Sequence, residues 1–313
     1  VDWKLQLLPG AKIDGYFVGE ASLSIPLDKT NRIIAGKLPD FQGYESYYPN
    51  ADPTLGNQLI SHNALFDLAG VSFYEGAGMS HALGSVALKW MVANIDSQLD
   101  TANYTAPDLA TRQYGTRSTG VAARADWTID EYSFLSLSVL VGNGQRNFSM
   151  WDIDGSYTHG DWAFNGQINV GTQAAAAYNG GDAHWAGVSG QVRYKVVPRL
   201  QLIARADYLQ NSDNGGGTYT YSADNGSPST VAGNSPYGFG IGPERDSAGA
   251  VIDSNSGANL TRLTLGTNYQ INPNTQWKVE YRLDQSTGYN FLSADSVPTR
   301  TRNAFATSFV LSF

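Results

Sequence analysis

Residues 275–286 read TQWKVEYRLDQS, and after an intervening loop residues 301–313 read TRNAFATSFVLSF. In the first stretch Trp277, Val279, Tyr281 and Leu283 alternate with Lys278, Glu280, Arg282 and Asp284, the two-residue period of a strand with one apolar and one polar face. In the second, Phe305, Thr307, Phe309, Leu311 and Phe313 share one face and Ala304, Ala306, Ser308, Val310 and Ser312 the other. A soluble β-sandwich buries its apolar face. A membrane barrel inverts the arrangement, with apolar residues toward lipid and polar ones toward a wet lumen. Two strands alone do not choose between these, but repetition along the chain does.

The pattern recurs from the start. Trp3, Leu5 and Leu7 oppose Asp2, Lys4 and Gln6; strand patterns follow at 15–25 and 32–39, then at 71–80, 85–94, 118–128, 133–142, 149–158, 161–172, 184–196, 200–210 and 259–271. With the two C-terminal stretches this predicts about 14 strands of roughly ten residues, the length that crosses a bilayer at a tilt of about 45°. Twelve and sixteen are the alternatives. Short turns (HALG, IDEY, HGD, VPR, NPN) alternate with long loops, as in outer-membrane barrels. The expected fold is therefore all-β, a transmembrane antiparallel β-barrel forming a single domain over residues 1–313. Its long external loops are 40–70, 96–117, 211–258 and 286–300.

Composition agrees and narrows the function classes. The chain has 313 residues, 42% of them hydrophobic and only 15% charged, yet no run of about 18 to 20 apolar residues occurs, which excludes helical spans. Glycine is abundant at 34 residues, as turn-rich β-proteins require. With no cysteine, thiolate metal sites and cysteine nucleophiles are ruled out. A net charge of −8 argues against nucleic acid as a partner. The chain opens at Val1 without a signal peptide and is expected to be a processed form.

Particular motifs resemble known families. The terminal FVLSF resembles the C-terminal aromatic signature of bacterial outer-membrane proteins. RIIAGKLPDFQGYES, with ISHNALFDLAG and GAGMSH after it, resembles the early part of the OmpL-like porins. The stretch from WAFNGQINVGTQAAAAYNGGDA through VVPRL and NSDNGGGTY is similar to an uncharacterised proteobacterial outer-membrane porin family. Together these cover most of the chain after Arg32. The resemblance implies a Gram-negative outer-membrane location, lipid and lipopolysaccharide as surroundings, the barrel-assembly machinery as a partner during biogenesis, and a homotrimer as the expected assembly. No cofactor is expected.

If the apolar faces meet lipid, the inward residues can be named. They include Lys4, Glu20, Glu75, Lys89, Arg124, Asp126, Asp152, Asp154, Arg193, Lys195, Arg205, Asp207, Arg262, Lys278, Glu280, Arg282 and Asp284. Moving one of the cations to mid-bilayer costs about 2 to 4 kcal/mol, so register is strongly specified. A lumen with this composition is hydrated or internally paired. Cations slightly outnumber anions in this set, which suggests a weakly anion-favouring lumen; the alternative is that Arg193, Arg205, Arg262, Lys278 and Arg282 are matched by Asp207, Glu280 and Asp284. The 40–70 segment is the candidate constriction, because Phe41, Tyr44, Tyr47, Tyr48 and Phe66 are ill suited to an exposed loop.

Signals for catalysis and metals are weak. His62, His81, His159 and His184 lie apart without ligand spacing, so no metal site is expected. DIDG at 152–155 lacks the further carboxylates of a calcium loop and reads as a strand with two lumenal aspartates. Ser61 and His62 invite comparison with outer-membrane phospholipases, but neighbours on an extended segment point to opposite sides. The expectation is a porin, a passive diffusion channel for small polar or anionic solutes, and not an enzyme. A closed structural or adhesion barrel acting through its external loops is the first alternative, an outer-membrane hydrolase the second.

Overall fold

The computed structural model describes residues 1–7, 18–45, 57–69, 73–95, 118–143, 147–174, 177, 179, 181–211 and 241–311. Fourteen strands form one antiparallel meander: β1 (Asp2–Leu7), β2 (Val18–Pro26), β3 (Asn31–Pro39), β4 (Phe73–Leu83), β5 (Val86–Ile95), β6 (Ser118–Thr128), β7 (Ser133–Asn143), β8 (Phe148–His159), β9 (Trp162–Gln173), β10 (Ala183–Val197), β11 (Leu200–Gln210), β12 (Leu260–Asn272), β13 (Thr275–Ser286) and β16 (Thr301–Leu311). Two elements that the alternation does not signal sit in the connections. A helix α1 (Ala64–Ala69) lies between β3 and β4, and a two-residue hairpin of β14 (Phe291–Leu292) and β15 (Pro298–Thr299) lies between β13 and β16. Each long strand pairs with its sequence neighbours, β1 and β16 end the hydrogen-bonded order, and among the described residues no register joins those two.

Polar and apolar faces separate as strand periodicity dictates. On β13, Lys278, Glu280 and Asp284 are buried while Trp277 and Tyr281 are exposed. On β9, Gln167 and Asn169 are buried and Phe164, Ile168 and Val170 exposed. The buried side is thus the polar one, the inverse of a soluble protein and the arrangement a lipid-facing barrel requires. Outward aromatics gather at the short-turn end, where Trp162 stacks on Tyr194 at 4.5 Å and on Phe164 at 6.0 Å, and Trp277 lies 6.1 Å from Phe309. Such a belt suits the membrane–water boundary.

The short turns carry local chemistry that fixes register. Two of the two-residue turns place glycine in the left-handed region, Gly84 at φ 69° and Gly160 at φ 61°, where a Cβ would be strained. Two four-residue turns use aspartate. Asp28 Oδ1 accepts the backbone N–H groups of Thr30 (2.7 Å) and Asn31 (2.8 Å), and Asp130 accepts that of Tyr132 (2.8 Å). The Asn31 side-chain amide, which donates to Asp28 Oδ2 at 2.7 Å, together with these backbone bonds holds Asp28 below the usual aspartate range, and the Tyr132 N–H does the same for Asp130.

One inward assignment is corrected. Glu75 lies on the outward face of β4, where it faces Lys37 of β3 and Asn94 of β5 in register, while Tyr74, Gly76 and Gly78 take the inward positions. The shift follows from where β4 begins, since its alternation is anchored by Tyr74, which is fully buried against Phe41. A charge is tolerated outside because Glu75 sits near the long-loop end, where the cost of facing lipid falls toward zero.

Candidate functional site

The β3–β4 connection folds inward. Its described parts, 40–45 and 57–69, bond to inward side chains of strands from β4 round to β13, so the sheet curls about them. Asp40 accepts the Tyr74 hydroxyl at 2.6 Å, and Phe41 packs edge-on against the Tyr74 ring at 4.9 Å beneath the Lys89 ammonium, 4.5 Å from the Phe41 centroid. The Gly43 carbonyl accepts from Arg124, and the Tyr44 hydroxyl bonds Ser189 at 2.7 Å. Glu45 pairs with Arg205 at 2.8 Å and accepts the Asn63 N–H at 2.6 Å. Burial pushes the Glu45 carboxyl above the usual glutamate range against the pull of Arg205, and it also raises the Tyr44 hydroxyl.

The 57–67 stretch is held mainly by charged wall residues. Glu280 accepts the N–H groups of Ile60 (2.7 Å) and Ser61 (3.0 Å) and the Ser61 hydroxyl (2.5 Å). Lys278 donates to the Asn57 carbonyl at 2.5 Å, and Asn268 to that of Gln58 at 2.8 Å. Arg205 donates to the Ser61 and His62 carbonyls at 3.0 and 2.7 Å, Arg262 donates to Asp67 at 2.6 Å, and Asp207 accepts the Ala64 N–H at 3.0 Å. Two leucines complete the seat. A Cβ at Gly187 of β10 would lie 2.1 Å from Leu65 Cδ2, and one at Gly266 of β12 would lie 2.4 Å from Leu59 Cδ2. Inward glycines therefore leave the depressions that these leucines fill.

The sequence-named wall residues separate into groups. Arg124 reaches Asp154 with a two-pronged contact (2.6 and 2.9 Å) and Asp126 at 2.7 Å; Asp152 accepts from Gln167 at 2.6 Å. Arg205 meets Asp207 at 3.2 Å, and Asp284 gathers Arg262 (2.7 Å), Arg282 (3.4 Å) and Arg302. Matched charge thus describes Arg205, whereas Arg262, Arg282 and Arg302 share Asp284 and Glu280 serves the inserted segment. Asp152, Asp154, Arg205, Asp207, Arg262, Lys278 and Glu280 face inward but are covered. Arg193 is half-buried and Lys195 exposed at the short-turn end. Of the aromatics expected at the constriction, Phe41, Tyr44 and Phe66 belong to the inserted segment, Phe66 stacking on His62 at 4.2 Å; Tyr47 and Tyr48 lie outside the described residues.

Several members of this cluster had no signal in strand alternation. Glu45, Ser61, Asn63 and Asp67 fall in an irregular segment. Gly187 and Gly266, inward glycines inside otherwise regular strands, were the available hint of a close approach. No group of three or more His, Asp or Glu side chains among the described residues is placed to hold a metal ion.

The opposite wall is different. Ala304, Ala306, Ser308 and Val310 of β16, with Ser22 and Ser24 of β2, are small or short inward residues and remain partly exposed. Among the described residues, the inserted segment therefore makes its bonds to the other walls and not to this side.

Comparison with known proteins gives a consistent result. The family model described as "Putative beta-barrel porin-2, OmpL-like" matches residues 17–313. Comparison with curated protein sequences returns no match. Among solved structures, the chain is similar to the anion-selective porin from Comamonas acidovorans, at 10% identity and TM-score 0.56, covering 94% of this chain and 77% of that one. It is also similar to OmpT of Vibrio cholerae, an outer-membrane-expressed protein, at 11% identity and TM-score 0.55, covering 94% and 78%. At these identities the likeness carries the fold.

Proposed function

The chain belongs to the beta-barrel porin-2, OmpL-like family, an outer-membrane porin family of Gram-negative cells, and from that premise we propose that it passes small polar and anionic solutes by passive diffusion. The observation that carries the reading is the inserted segment. Pinned by Glu280, Arg205 and Arg262, it fills the β6–β13 side of the lumen and leaves the small-residue side beside β16 as the path. A 14-stranded barrel falls between barrels filled by their own side chains and those with wide aqueous channels, so one loop suffices to set its bore.

The distribution of charge supports an anion preference. Asp154, Asp207, Glu280 and Glu45 are covered by the segment, whereas Lys4, Arg32, Arg282 and Arg302 keep part of their side chains open. Asp2, exposed beside Arg32, and the part-exposed Asp67 at 28% and Asp126 at 38% are acids that temper the preference. The channel-lining role extends to Lys89, Arg193 and Lys195 in this proposal. The long loops 40–70, 96–117, 211–258 and 286–300 of the single barrel are assigned to the external side, where lipopolysaccharide would meet the rim. A homotrimer and recognition of FVLSF by the assembly machinery belong to the same reading.

The reading is non-enzymatic. The Ser61 hydroxyl is committed to Glu280, and the His62 ring lies flat on Phe66 with Nδ1 3.8 Å from Asp67. The fullness of the β6–β13 side favours one second reading, a closed platform acting through its loops. Liposome swelling separates the two. Vesicles carrying the folded protein should swell in small amino acids and short-chain carboxylates; folded protein that supports no swelling would leave the closed platform.

A further inference from the structure

Three arginines converge at one level of the wall near the long-loop end. Arg262 of β12, Asp284 of β13 and Arg302 of β16 stand in register, and Arg282 lies two residues further down β13, level with Thr264 and Ala304. Asp284 is shared by all three guanidinium groups, and Asp67 takes Arg262 as well, so three cations face two carboxylates. The next carboxylate down the wall, Glu280, is already saturated by three donors from the inserted segment. Among the described residues, the guanidinium groups of this neighbourhood therefore outnumber its carboxylates, although the His62 carbonyl also accepts from Arg262.

Arg282 shows the deficit most clearly. It makes an ion pair with Asp284 at 3.4 Å but no hydrogen bond among the described residues, and its buried Nε has no acceptor. Arg262 Nη2, fully buried behind it, also lacks one. A guanidinium presents five donors in a rigid fork, and leaving buried donors unmatched costs roughly 1 to 3 kcal/mol or more each. The neighbour of Arg282 on β16 is Ala304, with Ala306 below it, so that strand sets no bulky side chain beside the fork. Above it Arg302, stacked over Phe291 at 5.2 Å, is held at the edge of the same space.

We infer that Arg282 and Arg302, backed by Arg262, form a binding subsite in the lumen for the oxyanion group of a passing solute, a carboxylate or a phosphate. The inference rests on the porin reading and names the chemistry the path selects. A two-oxygen acceptor fits the fork of Arg282 and answers its unmatched donors, whereas chloride meets it only as a point charge. The inserted segment has a second role here. By capping Glu280 it occupies the next carboxylate down β13 and leaves Arg282 for the solute.

The test uses the full chain folded into bilayers and, in parallel, in detergent. Single-channel conductance in sodium acetate and in inorganic phosphate should saturate with concentration while that in chloride rises nearly linearly. Arg282→Gln should raise the half-saturation concentration at least about tenfold, and Arg282→Lys, which keeps charge but loses the fork, should fall between. Calorimetric titration of the detergent-folded protein with acetate and with phosphate reports the subsite apart from conduction, and shows which of the two oxyanions is preferred. Heat-modifiable gel mobility confirms that each variant is folded. Saturation by neither anion, or equal saturation in folded wild type and Arg282→Gln, would overturn the subsite and leave the porin reading standing. Calorimetric binding that Arg282→Gln abolishes, from protein that does not conduct, would uphold the subsite and sink the porin reading.

Discussion

Replacing Glu280 with alanine tests what holds the inserted segment in place. The carboxylate accepts three donors from Ile60 and Ser61 at 2.5 to 3.0 Å, and it is 3% exposed. Hydrogen bonds to a charged group contribute roughly 1.5 to 3 kcal/mol each, and orphaned buried donors cost a similar amount. Water entering the lumen recovers part of that, so about 3 kcal/mol of docking free energy is the working figure, a shift of roughly a hundredfold in the docked-to-undocked ratio. Arg205 and Arg262 still hold the segment through His62 and Asp67, so the expected phenotype is a fluctuating bore, with frequent excursions to a larger conductance state. Glu280→Gln keeps one acceptor oxygen and should show a smaller effect. The assay is single-channel recording of folded protein. A Glu280→Ala channel with wild-type conductance and no added noise would refute the reasoning, because the segment would then not be seated by this residue.

Three further outcomes follow from the same geometry. Burial raises the Glu45 carboxyl, so the docked segment holds a proton more tightly than the undocked one; docking strengthens as pH falls through that raised interval and weakens as pH rises through it. Mean conductance of wild type should therefore drop on acidification and Glu45→Gln should flatten the dependence, while a rise on acidification would contradict it. Leu65→Ala empties the seat over Gly187 and should cost about 2 to 5 kcal/mol of packing, measured as maleimide labelling of an introduced Ala64→Cys that stays protected when Leu65 is present. Arg124→Ala strands Asp154 and Asp126 without their cation and should lower the temperature of heat-induced mobility change, the loss being about 3 to 5 kcal/mol; Arg193→Ala, whose side chain is half-buried, should do less.

Strand alternation carried the fold because lipid and lumen impose opposite demands on successive residues, and Trp277 to Asp284 display both demands in eight positions. The same rule gave the polar inward positions of β13, such as Lys278, Glu280 and Asp284, whereas near the long-loop end the covered residues Met150, Trp185, Leu209 and Leu260 are apolar. It misplaced Glu75 because near a strand end either face tolerates a charge, so alternation loses its energetic penalty. It could not pair the charges. Arg124 skips β7 to reach Asp154 on β8, and three arginines share Asp284, choices made by side-chain reach in three dimensions rather than by order along a strand. The aromatic content of 40–70 signalled burial, but the residues that fix the segment, Ser61, Asn63 and Asp67, are short polar groups that in sequence look like any loop.

The most direct test of the central claim is the reversal potential of single channels under a potassium chloride gradient in a planar bilayer. The account expects discrete ohmic steps and a reversal potential shifted toward that of chloride, since Asp154, Asp207, Glu280 and Glu45 are covered and the cations beside β16 remain part-open. A shift toward the potassium potential, or silence from protein shown to be folded, would contradict it.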